Sequence, residues 1–140
     1  MKAHQSLDFS SLCKAFDALQ RAQQRSAGAP DDEELRDACI QRFEFTFELS
    51  WKMIKRRLER DLASSDQLDG MSFKELMRLA FEAGLIDAVQ TWWLFRDMRN
   101  LGSHTYDSQV AQQVHAVIAD FASACAFLIA QLERKGLSDD

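Results

Sequence analysis

The chain has 140 residues, a length that fits one domain of about 100–150 residues and leaves little room for a second. Apolar residues make up 46% of the chain, one proline and five glycines leave few interruptions to helix, and no low-complexity block indicates disorder, so we expect a globular protein. The formal net charge of −5 argues against a surface covered with phosphate contacts, so any nucleic-acid site must be small.

The cysteine content indicates a reducing compartment. Cys13, Cys39 and Cys125 are odd in number and widely spaced, so we interpret them as reduced thiols in a helical core. The first eight residues are too polar for a signal sequence, and no apolar run approaches the roughly 20 residues that a membrane span requires. We therefore expect a cytoplasmic protein that does not enter a membrane.

The first two predicted helices are joined by a short segment of small residues. Residues 26–30 end in the only proline, and the acidic residues 31–34 suit the positive end of a second helix. The first helix is predicted from apolar residues at three- and four-residue steps, namely Phe9, Leu12, Phe16 and Leu19.

The second helix is the longest, and it is apolar on two sides. A helix of this kind needs two neighbours, one in its own bundle and one that we expect to be a second subunit. Complete burial inside one domain is the alternative. One side carries Ile40, Phe43, Phe47, Trp51, Ile54 and Leu58, and the opposite side carries Phe45, Leu49 and Met53.

A polar link over residues 64–70 precedes the third helix. Ser72 and Glu75 form an S-x-x-E capping box, and Met71 is placed to pack on Leu76 as a hydrophobic staple. Gly84 is predicted to end this helix.

Two further helices complete the chain, and no segment alternates as a strand does. Asp87, with Gln90 three residues later, is predicted to start helix four, which runs to about residue 101 before Gly102. Helix five is predicted to begin after Asp107. Gly136 is predicted to end it, so that residues 136–140 form a flexible polar tail. The sequence therefore predicts one domain over residues 1–140.

The polar residues of helix four gather near its end. Arg96, Arg99, Asn100 and Ser103 lie on the side opposite the apolar residues, and His104 follows within a turn. Two arginines three residues apart repel each other, so an anion between them would be favourable, and we predict that Arg96 and Ser103 contact the substrate.

An arginine and a histidine together suit the cleavage of a phosphodiester. Arg99 could hold the phosphate and stabilise its charge while His104 moves a proton. Asn100 could orient the phosphate or the histidine. The structural alternative is that both basic residues only offset the exposed carbonyl groups of a helix that Gly102 terminates.

Two motifs on separate helices carry a resemblance to a known family. Residues 99–106 read RNLGSHTY, of the form R-N-x3-H-x-Y, and residues 42–52 read RFEFTFELSWK. In these motifs, and in helix order and length over nearly the whole chain, the sequence resembles the nucleotidyltransferase substrate-binding protein family of the HEPN superfamily.

The resemblance implies an all-α, four- or five-helix up-and-down bundle that forms a homodimer, with no cofactor. It also implies a partner, a minimal nucleotidyltransferase (MNT), since related HEPN/MNT pairs act as toxin and antitoxin and their helical member is a metal-independent endoribonuclease. By position, Arg99 and His104 match the catalytic pair, Asn100 the polar residue beside it, and Tyr106 the tyrosine that the partner modifies with AMP. A bulky anion on Tyr106 would hinder RNA entry.

Two other functions stay open at this point. The chain could be a noncatalytic substrate- or nucleotide-binding subunit of a two-component nucleotidyltransferase, or a plain dimeric scaffold. The first hypothesis differs from the leading one in whether His104 performs chemistry.

Several other polar residues are assigned structural roles. Lys52, Lys55, Arg56, Arg57 and Arg60 could guide RNA or the partner's nucleotide, but we interpret them as a solvated face that suits the negative end of helix two.

Other candidate sites are weaker still. Glu48 has ion-pair spacing to Lys52, so the pair Glu44 and Glu48 is interpreted as structural or partner-contacting. His4 and His115 have no ligand spacing to a cysteine or carboxylate, so no metal site is predicted. The adjacent tryptophans at 92 and 93 are expected in the core.

Overall fold

The computed structural model describes residues 7–62 and 66–139, and within these ranges the chain is helical and contains no strand. Six helices have nine residues or more, and two short elements join them: a helical turn at Asp66–Asp69 and a 3₁₀ turn at Leu101–His104. In chain order the six are α1 (Ser10–Ala27), α2 (Glu33–Asp61), α3 (Phe73–Glu82), α4 (Val89–Asn100), α5 (Ser108–Ala116) and α6 (Ile118–Ser138). The predicted all-α class is confirmed.

Helix α2 is the centre of the bundle and contacts each of the other five helices. Its apolar stripe supplies Phe43 and Phe47 to an aromatic cluster completed by α4 and α6. The ring of Phe121 lies 5.0 Å from that of Phe43 and 5.2 Å from that of Phe95 in edge-to-face geometry, and Trp92 is fully buried beside them. This cluster fixes α4, and hence the predicted site, against α2.

Three helices begin with a side-chain cap at a position that the sequence predicts. The Asp32 carboxylate opens α2, the Ser72 hydroxyl accepts from the Glu75 backbone N–H at 3.1 Å, and the Asp107 carboxylate accepts from the Gln109 N–H at 2.9 Å. Gly84 ends α3 as predicted, with φ +79 and a hydrogen bond from its N–H to the Phe81 carbonyl.

The predicted start of helix four is wrong. Helix α4 begins at Val89 after an extended Ala88, and no side chain caps it, so Asp87 does not act as the cap. Hydroxyl and carboxylate caps need the residue directly before the helix to be polar, and alanine occupies that position.

The last predicted helix starts after Asp107 as predicted, but it is divided in the middle and extends past its predicted end. It divides at Val117, whose N–H bonds the Val114 carbonyl in a tightened turn, into α5 and α6. Gly136 does not release a tail, because α6 continues to Ser138. The next residue is bound, since Asp139 accepts hydrogen bonds of 2.6 and 2.8 Å from the Arg57 guanidinium.

The expectation that no apolar run could cross a membrane is also wrong. By length and composition, Ser108–Ser138 contains such a stretch, with a mean hydropathy of 1.6. It is partly buried core in this fold, because α6 packs on α1 and α2. The buried side chains of α6 are those of Ile118, Phe121, Cys125, Leu128 and Leu132.

The cysteines are free thiols, as expected. Cys39 and Cys125 are buried and Cys13 is partly exposed. Burial raises the pKa of Cys125 to about 12, so this thiol stays protonated at neutral pH.

The second apolar side of α2 is only partly covered. Met53 is buried and Leu49 half-buried, but Phe45 is 51% exposed. Two further large apolar side chains, Phe81 of α3 and Leu94 of α4, are about half exposed. Complete burial of both sides of α2 within the chain is therefore excluded.

Candidate functional site

The predicted site residues share one short segment that runs from α4 into the following loop. Helix α4 ends in the residues Arg96, Arg99 and Asn100, the 3₁₀ turn contains Ser103 and His104, and Tyr106 follows before α5.

Gly102 has a different role from the predicted one. The α-helix already ends at Asn100, and Gly102 lies inside the 3₁₀ turn without a positive φ. A Cβ at this position would lie 2.7 Å from the Cδ of Glu44, well inside van der Waals contact. The missing side chain therefore makes room for a carboxylate of α2 beside the turn that contains His104.

Arg99 is held by α2. Its guanidinium forms an ion pair with Glu48 and lies 5.5 Å from the centre of the Phe47 ring. About a third of its side-chain surface remains exposed. The same Glu48 carboxylate accepts a 3.2 Å hydrogen bond from the Trp51 indole and lies 4.0 Å from the Lys52 ammonium, which is the predicted pairing.

A second carboxylate lies close to Arg99. Burial raises the pKa of Glu44, and the charge of Arg99 opposes that shift in part. Two carboxylates of α2, one turn apart, thus act on the guanidinium, Glu48 through an ion pair and Glu44 through its charge at longer range. The structural role predicted for this pair agrees with the geometry.

Arg96 and Arg99 line one surface cleft of about 330 Å³ between α2, α3 and α4. The Arg96 guanidinium lies 4.9 Å from the centre of the Phe73 ring, and the structure shows no ion pair for it in residues 7–62 and 66–139. The other residues around the cleft are Trp51, Lys55, Leu68, Asp69, Met71, Phe73 and Leu76. This cleft is where the two arginines could receive an anion.

His104 and Tyr106 lie together on the surface. Their ring centres are 6.1 Å apart at an interplanar angle of 65°, and 86% of Tyr106 is exposed. Asn100 and Ser103 are exposed as well. In the part of the chain that the structure describes, Arg99 and His104 have different partners, Glu48 for the first and Tyr106 for the second.

The basic run of α2 is not the uniformly solvated face that its sequence predicts. Arg57 is not solvated but only 5% exposed, and its guanidinium is bound by Asp61 and Asp139. Lys55 is half-buried and lines the cleft with the two arginines of α4. Helical spacing places both on α2, but only the packing of α3 and α4 distinguishes them.

The remaining candidates are structural. Trp92 is in the core as predicted, while Trp93 is half-buried under the Lys74 ammonium and the Arg78 guanidinium, each about 5 Å from its ring. Among the described residues, no group of three or more histidine, cysteine, aspartate or glutamate side chains is arranged to hold a metal ion.

Comparison with known proteins assigns the chain to a family. Residues 7–134 match the family described as nucleotidyltransferase substrate binding protein like. The chain belongs to this family. It is the family that the RNLGSHTY and RFEFTFELSWK motifs predicted, and its description associates its members with a nucleotidyltransferase.

One named protein and two solved structures support the assignment. The protein named "Probable ribonuclease HepT" of Haemophilus influenzae is 44% identical over 101 residues, which are 72% of this chain and 69% of that protein. The structure of HI0074 from Haemophilus influenzae, described as the fold of a substrate binding domain of a nucleotidyltransferase, is 36% identical with a TM-score of 0.85, covering 90% of this chain and 99% of that one. A structure from Thermus thermophilus is 31% identical with a TM-score of 0.69, covering 84% of this chain and 98% of that one.

Proposed function

We propose that this protein is a metal-independent endoribonuclease of the HEPN type, acting as a cytoplasmic homodimer, and that a minimal nucleotidyltransferase silences it by AMPylating Tyr106. The observation that carries the proposal is the segment from Arg96 to Tyr106, which presents an exposed imidazole directly after two arginines that line a cleft. The 44% identity to a protein named as a ribonuclease supports it.

The chemistry needs only the groups of RNA and of two copies of this segment. The 2′-hydroxyl oxygen attacks the neighbouring phosphorus, the bond from phosphorus to the 5′-oxygen breaks, and a 2′,3′-cyclic phosphate and a 5′-hydroxyl result. The His104 imidazole of one copy takes the proton of the 2′-hydroxyl, the His104 imidazolium of a second copy supplies a proton to the leaving 5′-oxygen, and Arg99 stabilises the charge on the phosphate oxygens. Asn100 orients the phosphate, and Ser103 and Arg96 contact the neighbouring backbone.

A homodimer would make this arrangement complete. In one chain Arg99 and His104 have separate partners, whereas a second copy packed on the exposed apolar side of α2 would bring another segment of the same kind close by. Two imidazoles could then divide the roles of base and acid.

The exposure of Tyr106 supports its proposed modification. Its side chain is 86% exposed, so a partner enzyme can reach it, and its ring lies beside that of His104. AMP on Tyr106 would place a negative charge next to the imidazole and repel the RNA backbone.

The test is cleavage of RNA by the purified chain in the absence of its partner and in the presence of EDTA. Wild type should cleave, His104→Ala should lose all cleavage while its fold and oligomeric state stay unchanged, and His115→Asn, which lies at another cavity, should cleave like wild type. An unmodified wild type as inert as His104→Ala would refute the nuclease.

The ion pair between Arg99 and Glu48 favours a second candidate, a noncatalytic substrate-binding subunit of a nucleotidyltransferase. A guanidinium already neutralised by a carboxylate stabilises the developing charge of a transition state less well, but it can still exchange that carboxylate for a bound anionic ligand. The family description and the description of HI0074 agree with this candidate. It predicts ligand binding with no RNA cleavage.

A further inference from the structure

The cleft beside the proposed catalytic segment has the composition of a nucleotide-binding site. We propose that it binds one nucleotide unit, with the phosphate against Arg96, Arg99 and Lys55 and the base against Trp51. The inference deepens the proposed function, because the unit would be an RNA residue next to the cleaved bond, and it also stands if the source is a free nucleotide.

The charge of the cleft is opposite to that of the whole protein. Three cations, from Lys55, Arg96 and Arg99, and one carboxylate, from Asp69, line it in a chain whose net charge is −5, and the sum stays positive when Glu48, the ion-pair partner of Arg99, is included. Concentrating positive charge in one half-enclosed space on an acidic protein favours an anion at that place and disfavours long contact with a polyanion. A single phosphate group fits this pattern.

Two of these cations have no carboxylate partner within residues 7–62 and 66–139. Lys55 and Arg96 are half-buried and form no ion pair there, whereas Arg57 and Arg60, on the same helix as Lys55, bind Asp139. A partly desolvated cation is stabilised by a counterion that shares its environment, and the phosphate of a ligand would supply one.

The guanidinium planes are held in place before any ligand binds. Arg96 lies on Phe73 and Arg99 lies on Phe47, at 4.9 and 5.5 Å from the ring centres. An arginine fixed on an aromatic face presents its nitrogens in a set direction, so less side-chain entropy is lost when it binds an anion.

The other wall of the cleft is aromatic and apolar. A site for phosphate alone does not need such a wall, whereas a site for a nucleotide does, because the base needs an apolar surface. Trp51 is half-buried, and its indole N–H is fixed by a 3.2 Å hydrogen bond to Glu48. Bases stack on aromatic side chains without demanding one sequence, and Asp69 offers acceptors to a base amino group or a ribose hydroxyl. The volume of about 330 Å³ is at the lower end of pockets that hold small ligands.

The test is direct binding to the purified full chain, by calorimetry, of AMP, inorganic phosphate, adenosine and a 2′-O-methyl RNA hexamer, which cannot be cleaved because its 2′-oxygens are blocked. AMP should bind at least about tenfold more tightly than phosphate or adenosine, since only AMP fills both halves of the cleft. Equal affinities for AMP and phosphate would overturn the proposal and leave a general anion site.

Variants locate the binding. Lys55→Ala should weaken AMP and phosphate together by about tenfold, whereas Trp51→Ala should weaken AMP and leave phosphate unchanged. Trp51→Phe, which keeps the ring and loses the bond to Glu48, should retain AMP binding if stacking is the reason. Lys14→Ala, an exposed lysine of α1, is the matched control. AMP affinity unaffected by both Lys55→Ala and Trp51→Ala would overturn the proposal.

Two further measurements are needed. One distinguishes an RNA ligand from a free nucleotide, and the other distinguishes failure of this proposal from failure of the proposed nuclease. A hexamer that competes with AMP assigns the cleft to RNA, and one that does not compete assigns it to a free nucleotide; either supports the subsite. His104→Ala should keep AMP affinity, so loss of cleavage with retained binding concerns the nuclease alone. A hexamer that binds with no sensitivity to Lys55 or Trp51, while AMP does not bind, overturns the subsite.

Discussion

Arg99 of α4 forms an ion pair with Glu48 of α2, so the guanidinium proposed to hold a phosphate already has a carboxylate partner. The two side chains are equally exposed, at about a third of their surface. A ligand phosphate must therefore share Arg99 with Glu48 or displace it, and Glu48 sets the affinity of the site as well as the direction of the guanidinium.

Glu48→Gln should tighten the binding of uncleavable RNA by about three- to tenfold, because one competing negative charge is removed. The dependence of log affinity on log salt should become steeper by about one unit. Fluorescence anisotropy at several salt concentrations measures both, with the exposed Glu82→Gln as control. Weaker binding than wild type would show instead that Glu48 acts mainly by positioning Arg99.

Gly102→Ala should disturb the site more than the fold. The new Cβ overlaps the Glu44 carboxylate, which can swing away, so the free energy of unfolding should change by less than about 1 kcal/mol. The 3₁₀ turn with His104 rests on that carboxylate, and RNA cleavage should fall by about tenfold or more. Gly70→Ala, whose Cβ would meet no atom within 4 Å, is the control. Unchanged cleavage would contradict the role given to this contact.

Glu44→Gln should stabilise the fold in a pH-dependent way. Burial raises the pKa of Glu44 in the folded state, so the folded chain binds this proton more tightly than the unfolded chain, and ionisation costs stability as pH rises from the ordinary value through the raised one. The variant and wild type should be equally stable in acid, below about pH 4, and the variant more stable at neutral pH. Urea unfolding from pH 4 to 7.5 checks this; a variant less stable at neutral pH would show that the attraction to Arg99 outweighs desolvation.

Arg57→Met should destabilise the fold by about 1.5–3 kcal/mol. The substitution removes hydrogen bonds of 2.6–2.8 Å to Asp61 and Asp139 and leaves these carboxylates with the more distant cations of Lys135 and Arg60. Arg56→Met, at the next position but exposed, should change stability by less than about 0.5 kcal/mol. Chemical denaturation measures both, and equal effects of the two substitutions would contradict a special role for the clamp between α2 and the end of α6.

Phe45→Asp should weaken the proposed homodimer by at least about tenfold in dissociation constant. The phenyl ring is half exposed on α2, and in a twofold interface each substitution counts twice. Light scattering over a dilution series gives the association state. Leu137→Asp, on the more exposed end of α6, is the control. An unchanged dimer would place the interface elsewhere, and a monomeric wild type would remove the homodimer from the proposal.

Local signals in the sequence predicted most of the helices correctly. A cap such as Ser72 or Asp107 acts on a backbone N–H two or three residues away, and Gly84 acts through its own φ, so both can be recognised without knowledge of the rest of the fold. Asp87 is the exception, because this capping residue lies one position before the N-cap of α4, which is Ala88.

The candidate site was predicted only in the part that is contiguous in the chain. The segment with Arg96, Arg99, His104 and Tyr106 follows from helical spacing and the family motif, as does the long apolar face of α2. Sequence determined these because periodicity of 3.6 residues and short motifs are properties of neighbours along the chain.

Tertiary structure decided which groups face one another. Arg99 forms an ion pair with Glu48. Arg57 is buried, whereas Lys55 of the same helix lines the cleft. Gly102 leaves space for the Glu44 side chain and does not terminate the helix. These contacts join residues tens of positions apart, and their energies depend on the distance and burial that the packing of α2 against α4 imposes. No pattern within a single helix contains that information.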